Sequence, residues 1–163
     1  MSYRSVLTRT VGTLLPGLML VSTVLSVPAE SSKWQPPVED PLRVSGPYRA
    51  PASPYASGHR GIDLPAQPGK SVIAPVAGSV SFVGYVVDRP VLSIRIDSHT
   101  VLTFEPIETH LREGDVVARG DVAGVAGSGG HCLSECVHLG VRVDGAYVNP
   151  MRYFLHKPVL LPW

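Results

Sequence analysis

VLSIRIDSHTVLTF, residues 91–104, alternates apolar and polar side chains on either side of a polar turn. Leu92, Ile94 and Ile96 fall on one face of an extended chain, and Ser93, Arg95 and Asp97 on the other. Val101-Leu102-Thr103-Phe104 resumes after the turn. This arrangement predicts a β-hairpin with one buried face.

The same pattern extends outward. In VHLGVRV, residues 137–143, Val137, Leu139, Val141 and Val143 share one side, with His138 and Arg142 on the other. Asp144-Gly145 then favours a type I′ hairpin turn. Val72-Ile73 and Val80-Ser81-Phe82-Val83 flank an expected turn at Ala77-Gly78-Ser79. In REGDVVARGDVAGVAG, residues 112–127, Gly114-Asp115-Val116 returns six residues later as Gly120-Asp121-Val122. Short apolar pieces separated by glycine read as tight β corners. The Gly-Lys-Ser/Thr of a phosphate loop is absent. Only Asn149–His156 has a brief helical character. The expected fold is all-β: a compact barrel or sandwich of short strands with little helix.

Residues 30–57 differ. Pro36, Pro37, Pro41, Pro47, Pro51 and Pro54 break helices and are confined to strand edges. They predict an extended lead-in segment wrapped onto a domain at 58–156, with a short tail at 157–163. The beginning differs again. Arg4 and Arg9 precede an uncharged, largely apolar stretch from Thr10 to Ala29, and Val27-Pro28-Ala29 offers small residues for cleavage. Residues 1–29 read as a secretory signal peptide. The alternative is an uncleaved membrane anchor, since the stretch is about the length a span needs. In both cases the remainder is expected outside the cytoplasm, secreted or associated with the cell envelope.

Removing Arg4 and Arg9 leaves 12 basic against 13 acidic residues. There is no basic stripe, which argues against nucleic acid as a partner. The chain's two cysteines, Cys132 and Cys136, could pair in an exported protein. Alternate residues share a strand face, so Cys136 could instead point beside His138 and offer a thiolate to a metal.

GHRGIDL, residues 58–64, places His59 four positions before Asp63. In a straight strand such residues lie about 13 Å apart, too far to share one ion. A turn at Gly61 would bring them together, because glycine accepts positive φ. Alone the pair reads as a solvated turn sooner than as a metal-ligand pair. His138, on the polar face of an apolar strand, adds a second imidazole. Two histidines and one carboxylate make a donor set that leaves a zinc ion open to water or substrate, as hydrolysis requires.

The order of GHRGIDL, SVIAPVAGSVSFVG (71–84), REGDVVARGDVAGVAGSGG (112–130) and CVHLGVRVDGAYVNPMRYF (136–154) resembles the lysostaphin-type zinc metallopeptidases of bacterial cell walls. The resemblance covers about residues 45–155. It implies a compact β-barrel, one zinc ion held by His59, Asp63 and His138, and cleavage of peptidoglycan stem peptides or cross-bridges. Two positions depart from the family pattern. Cys136 stands where the first histidine of His-x-His is usual, and Phe104-Glu105-Pro106 stands where a second active-site histidine is usual. His110-Leu111 looks like that second motif but sits too close to Gly114. A subgroup with Cys-x-His-x-Gly and Glu-Pro at these places is similar.

Proton transfer therefore needs another source. Glu105 is one candidate general base, provided it comes within about 3 Å of its proton; otherwise it is a loop carboxylate. His131, in GSGGHC, is the second; otherwise it orients a neighbour. Arg142 could hold a substrate carboxylate or be a solvated arginine. The alternative to an enzyme is a degenerate module that keeps the barrel and binds the wall or regulates a separate hydrolase.

Overall fold

A computed structural model describes residues 34–53 and 55–155, which lie in one compact unit. The expected signal peptide or anchor at 1–29, the tail at 157–163 and His156 lie outside the described residues. Ten strands run in chain order: β1 Gly61–Pro65, β2 Ser71–Ile73, β3 Gly78–Val86, β4 Arg89–Arg95, β5 Thr100–Glu105, β6 Ile107–Glu108, β7 Val116–Val117, β8 Val122–Ala126, β9 Cys136–Val143 and β10 Ala146–Val148. A 3₁₀ turn spans Gly130–Cys132, and one short helix, α1, spans Met151–Phe154.

Seven strands form a curled antiparallel sheet in the order β1-β9-β5-β4-β3-β7, with β10 also paired to β9. The other three form a second sheet, β2-β8-β6. The all-β expectation holds. β4 and β5 form the hairpin, with Leu92 opposite Phe104 and Ile94 opposite Leu102. One face of the large sheet buries Ile62, Leu64, Leu92, Ile94, Leu102, Phe104, Val137, Leu139 and Val141 completely or nearly so. Burying each such side chain is worth about 1.5–3 kcal/mol, so this face carries the fold.

The two Gly-Asp-Val pieces are equivalent corners. Arg112 N donates to Asp115 Oδ2 and Ala118 N to Asp121 Oδ2, both at 2.8 Å. Gly114 and Gly120 have φ of 92° and 91°, so each corner needs its glycine. Asp144 and Gly145 both have positive φ, at 50° and 80°, as a type I′ turn requires.

One expected turn is placed differently. Gly78 and Ser79 open β3 and pair with Val117 and Val116 of β7, while β2 pairs with β8 in the other sheet. The cause is close approach: a Cβ on Gly78 would lie 2.6 Å from the Arg95 carbonyl oxygen. The glycine lets strands meet rather than making a bend.

The lead-in from Trp34 to Ser53 contains no strand or helix. It is tied down at both ends. Trp34 stacks on Tyr153 at 4.2 Å between ring centroids and meets Phe154 edge-on. Farther along, Ser45 N donates to Asp63 O, Asp63 N to Gly46 O, and Arg49 and His59 exchange two backbone hydrogen bonds. The lead-in thus lies beside residues 59–63 as an edge and fixes their path.

Candidate metal centre

The polar face of the large sheet is where chemistry can occur. Asp63 on β1 lies opposite His138 on β9, and His138 lies opposite Glu105 on β5. Directly opposed residues project to the same side of a sheet, so the three form a row across adjacent strands. His59 joins the row from just before β1, held by its backbone pairing with Arg49.

His59 Nε2, Asp63 Oδ1 and His138 Nδ1 form a closed triangle with sides of 3.1, 2.8 and 3.1 Å. Two atoms bound to one tetrahedral zinc at ~2.0–2.1 Å would lie roughly 3.3 Å apart. His59 Nδ1 is 2.8 Å from the Pro47 carbonyl oxygen. A carbonyl can only accept, so Nδ1 carries the proton and Nε2 turns its lone pair toward the triangle. Such a second hydrogen bond is the usual companion of a metal-binding imidazole. The His59 lone pair and the Asp63 anion facing one point, with a ring nitrogen of His138 beside them, suit a cation. The residues present fit zinc.

His131 is the fourth member. Its Nε2 lies 2.9 Å from Asp63 Oδ1, and all four ligating atoms lie within 4.8 Å of one another. It differs from the others in burial: its side chain is 51% exposed, against 14%, 13% and 9% for His59, Asp63 and His138. It also sits on the 3₁₀ turn rather than beside or within a paired strand. Three candidate ligands are held by the sheet and its edge, and one imidazole is presented from a loop.

Burial pushes the Asp63 carboxyl up, but hydrogen bonds from His138 and His131 and the charges of His59 and His131 outweigh it and bring it to about 2. The group is therefore ionised across the neutral and mildly acidic range.

Cys132 and Cys136 are joined in a disulfide that bridges the turn to β9. This is the pairing expected for an exported chain. A disulfide sulfur is not a thiolate, so Cys136 has none to give the centre. Glu105 shares the ligand face, yet its carboxylate is engaged elsewhere: Arg89 Nη2 donates to Oε1 at 3.3 Å. Arg142 stands four residues along β9 from His138, about 13 Å away in a strand, with its guanidinium 5.8 Å from the Tyr147 ring centroid. The structure brings His59, Asp63, His138 and His131 together and leaves Arg142 apart.

Sequence reasoning missed three contributors. Pro47 supplies only a carbonyl, which no side-chain pattern reveals. At Gly46 any Cβ would overlap the Asp63 carboxylate. Arg89 has no sequence signal at all, being one charge beside Asp88 at a hairpin tip. The turn that Gly61 could have made is absent, because Gly61 lies in β1. There a Cβ would meet the Leu139 carbonyl and sit 2.5 Å from His138 Nε2. Gly61→Ala is expected to cost about 1–3 kcal/mol through overpacking, measured by urea unfolding of the metal-free protein.

The sequence profile described as Peptidase family M23 matches residues 57–150, which include all four centre residues. An uncharacterized protein of Mycobacterium tuberculosis is 31% identical over 139 residues, covering 82% of this chain and 56% of the relative. The chain thus spans about half the length of that relative. The crystal structure of the catalytic domain of the prophage-encoded M23 protein EnpA from Enterococcus faecalis superposes with a TM-score of 0.62 at 25% identity. It covers 74% of this chain and 97% of that one. A zinc-containing peptidase from Vibrio cholerae has the same fold, with a TM-score of 0.64 at 20% identity, over 80% of this chain and 41% of that one.

Proposed function

This chain belongs to peptidase family M23, and on that premise we propose that it is an exported, zinc-dependent hydrolase that cuts peptide bonds in bacterial cell-wall peptidoglycan. The observation that carries the reading is the triangle of His59 Nε2, Asp63 Oδ1 and His138 Nδ1. These residues would hold one zinc ion. When bound, zinc supplies Lewis-acid polarisation of a carbonyl and makes a nucleophile available near neutral pH.

The chain's own residues do the rest. His59 is oriented by Pro47, and Asp63 by the lead-in at Gly46, so two of the three ligands are preorganised from outside the sheet. His131 Nε2 faces the same point from the open side and moves the proton: it accepts one as water adds to the peptide carbonyl carbon. It returns that proton to the amine as the C–N bond breaks. His131 thus takes the role for which neither usual family histidine is present. Arg142, beyond Gly140 on the same strand face and away from the centre, would meet a carboxylate of the stem peptide. Export rests on the charge and apolar pattern of residues 1–29.

The test is digestion of purified peptidoglycan of several cross-bridge types, followed by assay of newly exposed amino groups. Amine release that stops on chelation and returns with added zinc is expected. Zinc bound without release from any wall would point instead to a wall-binding or regulatory module.

A further inference from the structure

Glu105 and Arg89 raise a question the centre itself does not answer. Glu105 faces the ligand row, opposite His138, but its carboxylate is not among the groups that converge there. Arg89 holds it. Arg89 Nε lies 2.9 Å from Glu105 Oε2, within ion-pair range but off the line of a hydrogen bond; Nη2 makes the hydrogen bond, to Oε1. Both side chains are largely withdrawn from solvent, at 24% and 18% exposure. The hydrogen bond to Glu105 holds the guanidinium above its ordinary value, against the effect of burial.

The stem of Arg89 has a second contact. A Cβ on Gly130 would lie 2.5 Å from Arg89 Cδ, and one on Gly129 would lie 3.1 Å from Arg89 Cβ and 2.5 Å from the Asp88 carbonyl oxygen. Gly129 and Gly130 both have positive φ, at 125° and 58° respectively. The bare backbone of 129–130 therefore rests directly on the arginine. The next residue is His131, and the one after it is pinned to β9 by the disulfide.

We propose that Arg89 is a positioning residue for His131, and that Glu105 acts through Arg89 rather than as the general base. The inference rests on His131 being the proton-moving group. Glu105 on one side of the guanidinium, with the Val86 carbonyl and Asp88 on Nη1, fixes it and its stem; the stem supports Gly129-Gly130, and the disulfide closes the other side of the turn. His131 is held between these two supports at the distance the centre requires. Small misplacement of a proton-moving group is costly, since about 1 Å can cost 100-fold in rate.

The test compares Arg89→Met, Arg89→Lys, Glu105→Gln and Arg89→Met/Glu105→Gln with the parent protein. Turnover, KM and zinc affinity are read for each, with ring-to-ring nuclear Overhauser contacts in the zinc-free protein. His131 and His138 ring centroids are 5.1 Å apart, and those of His59 and His138 are 4.8 Å apart. Arg89→Met and Glu105→Gln are each expected to lower kcat about 10- to 100-fold, with KM and zinc affinity within about threefold of the parent. The double variant should be no worse than either single one, as expected for residues acting as a unit. The His131–His138 contact is lost while His59–His138 persists, and Arg89→Lys, which keeps the charge and stem, restores part of the rate.

If Glu105→Gln alone removes the activity and Arg89→Met retains parental kcat, Glu105 is itself the base and the proposal is overturned. Parental kcat in both single variants overturns it as well. A fully active His131→Ala would instead remove the reading on which the inference rests, so the two failures are told apart.

Discussion

Asp63→Ala is expected to lower zinc affinity by more than about 100-fold and to abolish amine release with it. Loss of an outer partner of a ligand typically costs 10- to 100-fold in metal affinity, and Asp63 is a ligand in this account. It is also the only anion in the triangle and the atom that three imidazoles approach, at 3.1, 2.9 and 2.8 Å. Removing it leaves neutral nitrogens and one less donor. Its carboxyl is lowered to about 2 from 3.8. A depressed acid stabilises the folded protein fully above its unfolded value and loses that contribution as pH falls toward the folded one. The ligand therefore remains charged through mild acid. Calorimetric zinc titration of parent and variant reads the affinity. A variant that binds zinc as tightly as the parent would remove Asp63 from the centre.

His131→Ala is expected to lower kcat by about 100- to 10,000-fold, the usual range for a positioned acid–base group. Zinc affinity should stay within a few-fold of the parent. This split separates two roles that the geometry brings close together. A fourth ligand would lose affinity and rate together, whereas a proton-moving group loses rate alone. The exposed position of His131 predicts little change in stability, so a thermal melt of the zinc-free variant should match the parent. Unchanged kcat would move proton transfer to another residue.

Much of the fold was legible because β faces alternate strictly. Once Leu92, Ile94, Val137, Leu139 and Val141 are assigned to the core, Ser93, His138 and Arg142 must point away from it. The sequence also places His138 on a working face, and the Cys132–Cys136 spacing is short enough to pair across one turn. What stayed hidden depends on backbone and on long-range approach. The carbonyl of Pro47 orients His59 without any recognisable residue type. Gly46 and Gly61 matter for the side chain they lack, one beside Asp63 and the other beside His138. Glu105 lay on the correct face, but its partner Arg89 is sixteen residues away across a hairpin, and no local pattern connects them. A periodicity can assign a side chain to a face; it cannot say which neighbour on that face will bind it.

Zinc K-edge X-ray absorption on the zinc-loaded protein reads whether the centre holds its ion with an open position. One zinc per chain is expected, with two imidazoles, the remaining ligands oxygen, no sulfur near about 2.3 Å, and the same spectrum in His131→Ala. A sulfur shell, or a third imidazole that disappears in His131→Ala, would contradict it.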